Sequence, residues 1–240
     1  MDNAGYVTLT RQAGQMNEMQ TVANNIANAS TTGYRREGVI FSEFVKRLEP
    51  GDPSLSMATA EVRNTRMDQA PLVQTGGSFD LAIEGDGMFM IEGPGGESML
   101  TRAGAFTPSQ NGELVTPDGY RLLDAGGAPV FVPADASSVS ISADGTLSAD
   151  GQPLGQIGLW EAIDPNDMLH RNGVRFAVPG GTQPLIEGGS IMQGYLENSN
   201  VDPIGEIARM IEIQRAYEQG QSFLEREDQR IRDVIQSAGK

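Results

Sequence analysis

From the first turns of the chain, small or apolar residues recur at alternating steps of three and four: Tyr6, Leu9, Ala13, Met16, Ala23 and Ala27, with Gln20 filling the polar gap. This spacing predicts an amphipathic helix with a heptad stripe, and Met19, Val22 and Ile26 make that stripe wider than a two-helix seam requires. The helix is expected to stop near Ser30-Thr31-Thr32-Gly33, with Gly33 as its left-handed closing residue. At the other end of the chain Asp202 reads as an N-cap, Pro203 as the first helical residue and Glu206 as a first-turn carboxylate. A long helix follows to about Ser237, with Ile207, Met210, Ile211, Gln214, Tyr217, Leu224, Ile231 and Ile235 on a second heptad stripe. Gly220 is its weak point, costing about 1 kcal/mol relative to Ala. Each helix is marginal alone, so the two termini are expected to pair antiparallel, with the remaining apolar surface left for other subunits.

The middle of the chain changes period. Turn dipeptides at Asp86-Gly87, Asn111-Gly112, Asp118-Gly119, Gly126-Gly127, Asp144-Gly145 and Asp150-Gly151 separate short apolar runs such as Leu81-Ala82-Ile83, Met88-Phe89-Met90-Ile91 and Ile157-Gly158-Leu159-Trp160. This pattern predicts short antiparallel hairpins and no βαβ core. The expected fold is α+β. A discontinuous, coiled-coil-like helical domain comes from residues 1–34 and 201–240, an extended connector carrying Pro50, Pro53 and Pro71 from residues 35–75, and an inserted, mainly antiparallel β domain from residues 76–200.

Composition divides the chain at the same places. Residues 71–200 hold 22 of the 30 Gly and 10 of the 13 Pro, and carry 16 acidic against 4 basic residues, so most of the net charge of -15 lies there. An acidic chain with only two lysines, Lys46 and Lys240, is not expected to bind nucleic acid or an anionic membrane surface. With no Cys and a single His, the 240 residues offer no disulfide framework and no Cys/His metal site. The N-terminus lacks the basic and apolar regions of a secretory signal, and no stretch approaches the roughly 18 apolar residues of a membrane span, so a soluble chain is expected.

Individual candidates for chemistry are weak. Gly85-Asp86-Gly87 and Gly93-Pro94-Gly95-Gly96 lack the GK[ST] and helix start of a phosphate loop and read as turns. His170 has no partner that spacing identifies and is expected to be a solvated loop residue. Asp80, Glu84 and Asp86 would suit a carboxylate pair or calcium ligands only if their strand and turn brought them together, and the solvated reading is favoured. Arg35-Arg36 and Lys46-Arg47 are too few for nucleic acid and are expected to meet the acidic face of a neighbouring copy.

Specific runs carry a resemblance that these patterns do not. Ala23-Asn24-Asn25-Ile26-Ala27-Asn28-Ala29-Ser30-Thr31-Thr32-Gly33-Tyr34-Arg35 resembles the N-terminal signature of the flagellar rod, hook and hook-associated axial protein family. Glu197-Asn198-Ser199-Asn200-Val201-Asp202-Pro203, continuing through Met210 to Glu218, resembles that family's C-terminal signature. Asp80 to Phe89, Thr101 to Phe106 and Gly112 to Tyr120 match the pattern of its rod and hook branch. Met88, where the family usually has an aromatic, and Gln219-Gly220-Gln221 depart from it. The opening Met1-Asp2-Asn3-Ala4-Gly5-Tyr6 and the modest length look most like proximal-rod members.

The resemblance implies a non-enzymatic subunit of the proximal rod, which crosses the periplasm of the flagellar basal body, transmits torque and surrounds the export channel. The alternatives are a distal-rod or hook subunit and, less favoured, a cell-wall hydrolase. Implied partners are further copies, neighbouring proximal-rod and distal-rod proteins and the type III flagellar export apparatus; no cofactor is implied. The expected assembly interface joins Tyr6, Leu9, Ala13, Met16, Ala23, Asn24, Asn25, Ile26, Asn28 and Gly33 of the first signature to Asn198, Asn200, Val201, Asp202, Ile207, Met210, Ile211, Gln214, Tyr217, Leu224 and Ile231 of the second. The termini are expected to fold on assembly.

Overall fold

The computed structural model describes residues 3–46 and 55–238, so Pro50 and Pro53, Arg47 and Lys240 lie outside the described residues. Two compact units share the chain. One holds the N-terminal residues to Ala29, Arg36–Arg66 and Val201 onward; the other holds Ser30–Arg35 and Met67–Asn200.

The first unit contains helix α1 (Asn3–Ala27), strands β1 (Glu37–Lys46) and β2 (Leu55–Thr65), and helix α2 (Pro203–Ala238). Asp202 caps α2 as its sequence requires, its Oδ1 accepting from the backbone N–H of Ile204 at 3.1 Å. Helix α1 ends at Ala27, so Gly33 is not its closing residue and has a different use.

The helices run antiparallel: Asn25 meets Glu206, Glu18 meets Arg209, and Gln12 lies over Gly220. At 1.5 Å per residue, the 36 residues of α2 outrun the 25 of α1 by about 17 Å. Where the sequence reading had an extended connector, β1 and β2 form a long antiparallel hairpin with a register shift between Ile40 and Phe41, and α1 packs against both strands. Alternation along 37–46 is too irregular to announce a strand, and the ladder supplies the backbone pairing that a free connector lacks.

The second unit is antiparallel β structure built on a nine-stranded sheet, with three smaller pairings beside it. Strands β3 (Leu72–Gln74) and β4 (Leu81–Gly85) pair with the returning segments Tyr195–Glu197 and Gly189–Gln193, so the unit closes its own entrance and exit. Strand β5 (Met88–Glu92) pairs with β6 (Ser98–Thr101) and lies buried in the sheet. Its Phe89 and Ile91 join one core with Leu81, Ile83, Leu114 and Ile157, while Met88 and Met90 join a second with Leu100 and Phe176. Burial of both faces explains why the Met88–Ile91 run is apolar without alternation. Met88, the departure from the family pattern, fills the second core as an unbranched, adaptable side chain.

Gly104 marks the closest backbone approach in this core, because a Cβ there would stand 1.7 Å from the carbonyl oxygen of Leu81. Gly104→Ala is therefore expected to destabilise the β unit by about 3 kcal/mol or more, measured as a lowered urea midpoint of the fluorescence transition of Trp160, the sole tryptophan.

Acid provides a second test. Backbone and hydroxyl hydrogen bonds from Thr146 hold the Asp144 carboxyl below its ordinary value of 3.8, and backbone hydrogen bonds from Ser137 and Ser138 do the same for Asp150. A depressed folded-state value stabilises above the unfolded value and fades as pH falls through the folded one. Amide exchange at Ser137, Ser138 and Thr146 should accordingly accelerate, relative to the sheet core, only below about pH 3.8.

Candidate assembly interface

Asn25 joins three elements of the helical unit. Its side-chain oxygen accepts from the Glu37 backbone N–H at 3.0 Å, and its Nδ2 donates to the Glu37 carbonyl at 2.7 Å and to Glu206 Oε2 at 3.1 Å. One carboxamide thus imitates a strand partner for the start of β1 while holding the first turn of α2. Glu206 is buried and also accepts from Arg36 Nε through its other oxygen. Further along the helix pair, Arg209 donates from both Nε and Nη2 to the single oxygen Oε1 of Glu18, and these hydrogen bonds hold the guanidinium above its usual range.

The inner face of α1 is polar. Gln12, Gln15, Thr21 and Asn25 are buried there, with Val22 as the apolar exception, and α2 buries only Glu206 and Ile213. Leu9, Ala13, Met16, Ala23 and Asn24 lie exposed on the opposite side of α1. On α2, Ile207, Ile211 and Gln214 are exposed, while Met210, Tyr217, Leu224 and Ile231 are half-buried. A strict heptad drifts about 20° per repeat around a straight helix, which is why the α2 stripe passes from one face to another.

In the β unit, Glu197 plays the part that Glu206 plays in the helical unit. It is fully buried and accepts from Arg35 Nη2 at 2.7 Å, from the Ala70 backbone N–H at 2.8 Å and from Arg102 Nη1 at 3.3 Å. Its own carbonyl accepts from Gly33 N–H at 2.8 Å. Gly33, at φ +72°, lies so near the Arg102–Ala103 backbone that a Cβ would come within 2.3 Å of Ala103 N. Burial pushes the Arg102 guanidinium down against the pull of Glu197, and Arg35 lowers it further. Among the described residues, Arg35 Nε and Nη1 and Arg102 Nε find no acceptor, so this cluster holds more positive charge than it pairs.

These contacts revise several expectations. Asn25, Gly33 and Val201 are buried within the subunit, Asn200 is half-buried with its side chain on the Asp68 carbonyl, and Ile26 and Asn28 are half-buried. Asn198 and Asp202 are exposed, and the side chain of Tyr6 lies outside the described residues. Arg35 and Arg36 do not wait for a neighbouring copy; each is paired with a glutamate of its own chain. His170 is not a solvated loop residue. It stacks on Phe176 at 4.9 Å and meets the edge of Tyr34 at 5.6 Å. Among the described residues no cluster of His, Asp or Glu is arranged to hold a metal ion, and Glu84 and Asp86 are exposed. No helix among them is long and apolar enough to cross a membrane.

Comparison with known proteins follows the same three stretches. The family described as flagella basal body rod protein matches residues 6–35, the flagellar hook protein FlgE/F/G D1 domain matches 82–149, and the flagellar basal body rod FlgEFG protein C-terminal matches 192–237. The flagellar basal-body rod protein FlgF of Caulobacter vibrioides is 38% identical over 251 positions, covering 100% of this chain and 99% of that protein. The chain belongs to the flagellar rod and hook protein family. A second FlgF, from Mesorhizobium japonicum, is 35% identical over 100% of the chain and 99% of its own length; the rod protein FlgG of Agrobacterium fabrum is 31% identical over 93% of the chain and 94% of its own. The hook protein FlgE of Brucella abortus shares 42% identity over 144 positions, covering 59% of this chain and 36% of that protein. In this rod and hook family member, the signature residues Asn25, Gly33, Arg35 and Glu197 hold the subunit's own fold together.

Removing one partner of a buried pair leaves the other uncompensated. Glu197→Gln should cost the β unit about 3 kcal/mol or more, and Asn25→Ala the helical unit about 2 to 3 kcal/mol. In urea unfolding, the first substitution should move the Trp160 fluorescence transition and the second the helical circular-dichroism transition.

Proposed function

We propose that this chain is a structural, non-enzymatic subunit of the proximal rod of the bacterial flagellar basal body. Copies stack helically through their terminal helices around a central export channel, beside other proximal-rod proteins and the distal-rod protein. The observation that carries the reading is the character of the helical pair: among the described residues Gln12, Gln15, Thr21, Asn25 and Glu206 are buried beside only Val22 and Ile213, while Leu9, Met16, Ile207 and Ile211 face outward. An isolated subunit gains nothing from such an outward stripe, whereas a rod buries it once per neighbour.

Assembly of this kind requires a heterologous contact that does not close, so that each added subunit presents the surface for the next. Torque then passes through many near-parallel helix contacts, with the overhanging turns of α2 reaching past the end of α1 within its own unit. The family relationship to rod proteins along the whole chain supports the same reading. Delivery by the flagellar type III export apparatus suits a chain that has no cysteine to oxidise on the way.

The double variant Leu9→Asp/Ile211→Asp tests it. Both positions are exposed in the free subunit, so its Trp160 and circular-dichroism transitions should match the wild type within about 0.5 kcal/mol. Basal bodies purified from cells carrying it should lack the subunit, and the cells should not swim. Normal swimming would overturn the assignment of these stripes to assembly.

A further inference from the structure

The loop 185–188 of the β unit, which follows the strand Thr182–Pro184, carries Ile186, which at 93% exposure is the most exposed large apolar side chain among the described residues. It stands between two grooves. One, of about 370 Å³, is floored by Ile157, Leu159, Trp160 and Leu185 and edged by Asp144 and Glu187; the other, of about 570 Å³, is edged by Asp86, Glu161 and Glu187. Four carboxylates therefore rim an apolar centre, and neither groove is lined by a single Lys or Arg. Trp160 itself lines the first groove while packing against the second apolar core.

A second copy is a poor occupant on charge. Of the four arginines between residues 71 and 200, Arg102, Arg121 and Arg175 are already ion-paired within the chain, and the chain as a whole carries a net charge of -15. Another acidic surface against four carboxylates would be repelled. We propose that this face docks a partner other than this chain: a protein segment that presents Lys or Arg to the carboxylates and a socket for Ile186. The inference is independent of the helical assembly face, which lies on other elements.

Trp160 is the only tryptophan and lines the first groove, so in the folded chain its emission responds to an occupant of this face. The full chain should be titrated with a short alternating Lys–Leu peptide, and with a Glu–Leu peptide of equal length as comparison. The basic probe is expected to shift Trp160 emission saturably and less at higher salt, while the acidic probe leaves it unchanged. Ile186→Ala should weaken the response about fivefold and Glu161→Gln/Glu187→Gln about tenfold, with Asp135→Asn/Glu225→Gln, two exposed carboxylates outside the grooves, leaving it intact. An unmoved emission, or equal loss in the Asp135/Glu225 variant, would overturn the proposal. Ile186→Cys, labelled with a photoreactive maleimide on what is then the only thiol, adds the remaining arm: the irradiated chain should stay monomeric, and covalent dimers would reassign the face to a second copy and contradict the choice of partner.

Discussion

Buried polar groups must be paired, and in the helical unit one carboxamide meets that requirement for three elements at once. Asn25 satisfies both backbone groups of Glu37 and one oxygen of Glu206, so that α1, the start of β1 and the first turn of α2 meet at a single side chain. Aspartate in its place would lose the donor that reaches Glu206, and leucine would match neither backbone group. Asparagine is thus required by the donor and acceptor count alone.

Holding the unit together with polar contacts has a consequence for the rest of its surface. Hydrogen bonds and ion pairs specify register while contributing modest net stability, and they leave the apolar residues Leu9, Met16, Ile207 and Ile211 outside. A globular protein that needed only to fold would turn those residues inward. A subunit that must join others keeps them outward and fixes its own shape by other means, which is the division found here. The β unit shows the contrasting economy: its two apolar cores are large and conventional, and one fully buried glutamate, Glu197, secures the place where the chain enters and leaves.

Much of this was legible in the sequence. The heptad stripes, the Asp202-Pro203 start and the spaced turn dipeptides determine the α+β order, because each reflects a local periodicity or a local backbone demand. The pairing of Glu37–Lys46 with Leu55–Thr65 was not legible, since it joins two stretches apart in the chain and neither strand shows clean alternation. Nor were the roles of Glu206 and Glu197. A first-turn glutamate ordinarily faces solvent, and only the position of Arg36 and Asn25, some 170 and 181 residues away, makes it a buried acceptor. Two adjacent arginines at one end and two glutamates at the other were the available signal. The apolar stripe of α1 was expected to cover part of the intrachain pairing, whereas Leu9, Ala13, Met16 and Ala23 of that stripe are exposed and the inner face, formed by Gln12, Gln15 and Thr21, carries no apolar periodicity to reveal it.

The claim at the centre of this account is that polar contacts hold the subunit while outward apolar faces join subunits, and hydrogen exchange compared between the free chain and purified rods tests it most directly. The account predicts that in the free chain the turns around Asn25, the start of β1 and the first turns of α2 are the slowest amides of the helical unit. The turns around Leu9 and those beyond about residue 228 should exchange quickly until the rod protects them. Equal protection of these segments before and after assembly would contradict it.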